Sequence, residues 1–234
     1  MVNSLAGGGT LLTFPALLSV QVPSVAANAT STVALVPGSF SAAWGFRKDL
    51  PSSRRLLWAV LLPSLVGGFG GAYIVAHVSD ALFSKLVPWL ILGATALFMA
   101  QEPLRRWTGV RGVGAGSASE AKLAAVQLVI SLYGGFFGAG MGIMMLAALA
   151  LLGFRDIHQM NGLKNLSAVA TNGVASVTFL LTHKVVWSFA LLMAVGAAVG
   201  GYAGARLGRR VGPVWVRRFV SGVGLVIGLY FLVR

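Results

Sequence analysis

Six stretches of this 234-residue chain are apolar for long enough to cross a lipid bilayer, at residues 24–46, 56–76, 82–100, 157–181, 185–205 and 213–233. Each approaches or exceeds the roughly 20 residues that a helix needs to cover a hydrocarbon core of about 30 Å. The composition agrees: 57% of residues are hydrophobic, 10% are charged, and the mean hydropathy is +0.85. The fold class expected is therefore an all-α integral membrane protein. Two further apolar segments, 1–20 and 123–152, are interrupted by glycine clusters. Counting them gives about eight transmembrane segments.

The formal net charge is +13, which in a soluble protein would suggest nucleic acid. Here nearly all the basic residues sit in short loops between apolar runs, where they act as topology signals, and nucleic acid is excluded as a partner. There is no cysteine, hence no disulfide, thiolate nucleophile or cysteine-held metal. His77, His158 and His183 are too scattered to make a metal site, and no cofactor is called for. Residues 1–20 lack the basic start and cleavage pattern of a secretory signal.

Sliding the sequence on itself by 133 positions, without a gap, pairs Ala6 with Ala139, Gly7 with Gly140, Gly9 with Gly142, Asn28 with Asn161 and Phe46 with Phe179. The same register lays "GGFGGA" at 67–72 on "GGYAGA" at 200–205. We therefore expect two four-segment repeats: residues 1–100, a cytoplasmic linker at 101–122, and residues 123–234. The register leaves 123–133 with no counterpart upstream of Met1, so the first repeat is expected to lack its N-terminal half-helix.

Whether the repeats are parallel or inverted depends on the 123–152 segment, which is either a kinked span or a re-entrant pair of half-helices folded at "GGFFGAGMG". If it crosses, the loop cations divide ten against seven. If it returns, fourteen gather on one face, from the clusters at 47–55, 105–122 and 206–218 together with Arg155, and only Lys85, Lys184 and Arg234 lie opposite. The second division obeys the positive-inside rule, so an inverted repeat is expected, with a glycine-broken first helix in each half.

Irregular backbone at membrane depth survives only where protein buries it or a cavity faces it. "AGGGT" at 6–10 and "GGFFGAGMG" at 134–142 are the places for such backbone. There a ligand can approach the amides of Gly8, Gly9, Gly140 and Gly142, and the half-helix that follows aims its positive end into the break. The alternative is that such glycines only allow close helix packing, the reading preferred for "GGFGGA" and "GGYAGA".

About 19 residues after each break comes a polar cluster, "NATST" at 28–32 and "NGLKN" at 161–165. Ser31 aligns with Lys164, which lies about 10 Å along a helix starting near Ile157. An ammonium at that depth costs a few kcal/mol and is paired or functional, unless it snorkels to the interface or caps carbonyls. The five acidic residues, Asp49, Asp80, Glu102, Glu120 and Asp156, all lie in or beside loops. Lys164 is thus the expected charge of an anion site, with Asn161, Asn165, Asn28, Thr30 and Ser31 as hydrogen-bonding partners. Asn172 either extends this polar stripe or joins helices, and His158 reads as a polar anchor.

These residues also carry a resemblance. "NSLAGGGTLLTFPALLSVQVPSVAANATSTVALVPGSFSAAWGFR" and "GGFFGAGMGIMMLAALALLGFRDIHQMNGLKNLSAVATN" resemble the first and second repeat signatures of the TauE/SafE sulfite exporter family. The likeness rests on the glycine-rich break, the stretch around Pro15 and Leu17, and "ATS" at 29–31. It departs where a hydrophobic lead-in precedes the first glycine cluster in the family, and where "GLKN" replaces a common threonine-serine pair. The resemblance implies a multi-pass permease of the bacterial inner membrane, exporting sulfite, organosulfonates or other small anions.

No serine has a histidine at convincing helical spacing to serve as its base, so no enzyme is expected. The competing readings are a passive anion channel and a permease for another small anion. The expected partners are a small anion and the lipid bilayer, with association between copies of the chain left open.

Overall fold

The computed structural model describes residues 9–107, 119–197 and 213–233 and, of these, all side chains except those of residues 98, 101–107, 213–220 and 233. The described residues form nine α-helices and no strand. They are α1 (Thr10–Ser19), α2 (Ser24–Gly45), α3 (Arg54–His77), α4 (Asp80–Trp107), α5 (Glu120–Phe136), α6 (Met141–Leu151), α7 (Ile157–Leu181), α8 (Trp187–Ala197) and α9 (Pro213–Val233), with a 3-10 turn at Arg47–Asp49 after α2. Helix α4 runs seven residues into the segment expected as a linker, and α5 starts inside it. The second glycine match at 200–205 and the basic residues at 206–212 lie outside the described residues.

Local chemistry fixes several of the starts. Ser53 accepts from the Leu56 N–H at 3.4 Å, Ser119 from that of Lys122 at 3.3 Å, and Asp156 from that of His158 at 2.9 Å. Each satisfies one of the free donors that open a helix. Helices α2, α3 and α4 start at residues 24, 54 and 80, and α7, α8 and α9 start at 157, 187 and 213. Each start in the second set lies 133 residues after its counterpart.

Side-chain contacts give the helix directions. Ser64 of α3 meets Gln127 and Ser131 of α5, Gly67 faces Leu128 and Leu132, and Gly71 faces Leu132 and Phe136. Residue numbers rise together, so α3 and α5 run the same way. Ser64 also meets Ser167, and Gly68 faces Thr171 and Val174, so α7 runs with them. Helix α2 runs against α7: Ser39 faces Asn172, Gly162 lies beside Asp49 and Leu50, and Thr30 meets Val186.

These directions decide the path of the glycine-broken segment. Because α5 and α7 start at the same end of the bundle, α6 must carry the chain back to the end from which α5 departed. The pair is re-entrant, about 25 Å in and 16 Å back, turning through Phe137–Gly140 with Gly138 and Gly140 at φ +78 and +80. The end to which it returns carries Arg47, Lys48, Arg54, Arg55 and Arg155 and is the basic end of the bundle.

The helices meet at their small residues. A Cβ on Gly67 would stand 2.7 Å from the Leu128 carbonyl oxygen, and one on Gly68 would stand 2.9 Å from the Thr171 backbone. Within this parallel trio the Gln127 carboxamide nitrogen reaches the hydroxyls of Ser64 at 2.9 Å, Ser131 at 2.6 Å, and Ser167. Polar groups thus face inward and join helices, while large apolar side chains such as Val66 (63% exposed) and Leu192 (70%) face outward. Such an outward face suits hydrocarbon and not water. At the end opposite the basic one, Phe14 packs edge-to-face on Phe83 at 6.5 Å and on Phe137 at 5.3 Å, amid Val25, Val75 and Phe179.

By length and composition two helices are each apolar enough to span a membrane, Arg54–His77 with mean hydropathy 1.7 and, within α4, Asp80–Leu97 with 1.3. Helices α2 and α7 fall short because they carry polar side chains into the bundle. Helices α1 and α6, at 10 and 11 residues, reach only about half of a 30 Å core.

Candidate functional site

Between α2 and α7, in the half of the bundle nearer the basic end, lies a cavity. It offers about 40 Å³ to the centres of water-sized molecules. At roughly 10–15 Å³ per water on that measure, it holds a few waters or one small polyatomic ion. One wall comes from Thr32, Leu35, Ser39 and Ala42 of α2, the facing wall from Lys164, Asn165, Ala168 and Asn172 of α7. Three of these stand in the 133-residue register: Thr32 with Asn165, Leu35 with Ala168, and Ser39 with Asn172.

The first turns of both half-helices close the cavity, through Thr10 of α1 and Met141 and Gly142 of α6. Helix α6 begins after Gly140, whose left-handed backbone lets the chain turn sharply and whose carbonyl takes the Ile143 and Met144 N–H groups. Helix α1 begins after Gly9, whose carbonyl takes those of Leu12 and Thr13. Two helix N-termini therefore converge on one polar space, and each contributes a partial positive charge worth about 0.3–1 kcal/mol to a nearby anion.

Lys164 is 6% exposed, and among the described residues it has neither an ion-pair nor a hydrogen-bond partner. Asn165 is 5% exposed, and its carboxamide nitrogen is buried without a partner among them. Uncommitted donors this deep are costly unless something in the cavity accepts from them.

The structure brings Lys164, Asn165 and Gly142 of the expected site residues onto the cavity and places the others around it. Asn28 donates to the Phe136 carbonyl at 3.0 Å and ties α2 to the end of α5. Thr30 accepts from the Val186 N–H at 3.0 Å, and Ser31 shares a 2.6 Å hydrogen bond with Thr13. Asn161 turns back onto the Ile157 carbonyl at 2.9 Å. Gly9 and Gly140 cap the half-helices, and Gly8 lies outside the described residues. Sequence reasoning passed over Thr10, Thr32 and Ser39. The signal for the last two was the register itself, which sets them opposite Asn165 and Asn172.

The sequence matches the family model described as sulfite exporter TauE/SafE over residues 1–231. The chain belongs to the TauE/SafE family. It is therefore an integral membrane protein of a transporter family and not an enzyme. Among the proteins similar to it, a probable membrane transporter protein of Haemophilus influenzae is 29% identical across 94% of this chain and 84% of its own length. The probable membrane transporter protein YfcA of Escherichia coli K12 is 29% identical across 99% of this chain and 84% of its own length. A probable membrane transporter protein of a Sinorhizobium species is 26% identical across 99% and 87%. No solved structure matches significantly.

Proposed function

We propose that this chain exports small sulfur-containing anions, sulfite or organosulfonates, across the bacterial inner membrane, with the anion held at the cavity. The observation that carries the reading is Lys164: a buried ammonium without a partner among the described residues, on a cavity where two half-helix N-termini meet. Lys164, Asn165 and the first turns after Gly9 and Gly140 would hold the anion. Asn28, Thr30, Ser31 and Asn161 would hold the helices around it.

The same reading takes the chain as two inverted repeats with the basic end in the cytoplasm. What supports it is the constant offset of 133 between helix starts, the opposed directions of α2 and α7, and the return of α6 toward the basic end. The cavity lies in the cytoplasmic half, and the Phe14–Phe83–Phe137 cluster fills the other. A cavity in one half and packed aromatic rings in the other is what a carrier needs and a continuous pore lacks.

Counterflow in proteoliposomes tests this. Labelled sulfonate outside should accumulate transiently against unlabelled sulfonate inside and saturate with concentration. Flux that is linear in concentration without counterflow would make the protein a channel.

A further inference from the structure

The cavity's hydrogen-bonding groups are not evenly distributed. On the α2 wall, Thr32 Oγ1 is bonded to the Asn28 carbonyl at 2.9 Å and Ser39 Oγ to that of Leu35 at 3.3 Å. A carbonyl can only accept, so both hydroxyl hydrogens are spent on the helix and both oxygens remain as acceptors. Asn172 donates to Ser39 Oγ at 3.3 Å, which holds that hydroxyl toward Leu35 and leaves the Asn172 Oδ1 uncommitted. Lower on the α7 wall the balance reverses, with the Lys164 ammonium and the Asn165 carboxamide nitrogen carrying donors that no described residue takes. The cavity thus has uncommitted donors at Lys164 Nζ and Asn165 Nδ2 and uncommitted acceptors at Thr32 Oγ1, Ser39 Oγ and Asn172 Oδ1.

It also holds one formal charge. Among the described residues Lys164 is the only ionisable side chain on its lining, so a dianion would carry one negative charge into it without a balancing cation from them. A fully deprotonated oxyanion would in addition set lone pairs against the lone pairs of those acceptors. Resting on the anion-site reading above, we propose that the cavity selects a singly charged oxyanion bearing its own hydrogen-bond donor. Its oxygens face Lys164 and Asn165, and its donor faces Ser39 and Asn172. Two sources share this chemistry: a protonated inorganic oxyanion such as hydrogensulfite, and a small organic sulfonate with a hydroxyl group.

The test uses the unmodified chain in proteoliposomes and compares unlabelled anions as competitors of labelled 2-hydroxyethanesulfonate uptake. 2-Hydroxyethanesulfonate and 1-propanesulfonate are similar in size and charge, and only the first has a donor. The hydroxylated anion should compete about tenfold better, the worth of one satisfied neutral hydrogen bond at a partly buried acceptor. Sulfate, a dianion without a donor, should compete more weakly than either. Following sulfite through its second ionisation, normalised to 2-hydroxyethanesulfonate, separates the sources. A fall in relative competition as the proton leaves marks the protonated inorganic ion as a ligand, no competition by sulfite at any pH marks the organic class alone, and competition that stays equal through the ionisation overturns the single-charge requirement. Equal competition by the two sulfonates overturns the donor requirement and leaves the anion site standing. Competition by none of these anions overturns both.

Discussion

Ser39 and Asn172 are 133 residues apart, the spacing of the internal register, and they hydrogen-bond to each other at 3.3 Å. In two halves related by a two-fold axis, register counterparts touch only where the axis passes. The axis of the proposed repeat therefore passes at this contact, on the wall of the cavity. The helix starts keep the 133-residue offset, but the charge does not, since Ser31 stands at the counterpart of Lys164 and is bonded to Thr13 instead.

The contact between the two counterparts gives the first prediction. The chain has no native cysteine, so Ser39→Cys with Asn172→Cys places a unique pair across the cavity. A short bis-methanethiosulfonate reagent should join them within one chain and stop the transport that the unlinked double variant retains, and reduction should restore that level. Full transport with the link in place would remove α2 and α7 from the moving parts.

The helix directions predict the topology. Single cysteines at Ser52 and Thr182, in the loops after α2 and α7, should react with a membrane-impermeant maleimide from opposite sides. Labelling of both from one side would contradict the antiparallel arrangement of α2 and α7 and the inverted repeat built on it.

Gly67 tests the packing of α3 against α5. Its missing Cβ leaves the Leu128 carbonyl oxygen room to approach, and Gly67→Ala should cost about 1–3 kcal/mol, lowering the unfolding temperature by roughly 5 °C. Gly45 has nothing within 4 Å of its absent Cβ, so Gly45→Ala should leave stability unchanged or raise it slightly. Equal effects at the two positions, read by thermal unfolding in detergent, would contradict the close approach of α3 and α5.

How much of this was legible in the sequence follows from which residues speak locally. Apolar run length marks where helices lie, and the starts at 24, 54, 157 and 213 fall within two residues of those expected. Lys164 stands out because an ammonium in an apolar run has few explanations. The re-entrant path was legible only through the loop cations whose side of the membrane depends on it, Arg155 and the cluster at 206–218 above all. Asn28, Thr30 and Ser31 look like ligands in sequence, yet their partners are Phe136, Val186 and Thr13, and no spacing rule foretells such distant contacts. Ser39 was invisible because a serine beside Pro37 and Gly38 in a long helix looks like a packing residue until the facing helix supplies Asn172.

The most direct measurement is sulfite and sulfonate flux through proteoliposomes holding equal amounts of the native chain or Lys164→Met. The account predicts saturable flux in the native protein and a loss of about a hundredfold in the variant, the worth of a partly buried, hydrogen-bonded charge pair of roughly 2–3 kcal/mol. Native-level flux from Lys164→Met, with unchanged competition by 2-hydroxyethanesulfonate, would contradict the assignment of this lysine as the charge that holds the anion.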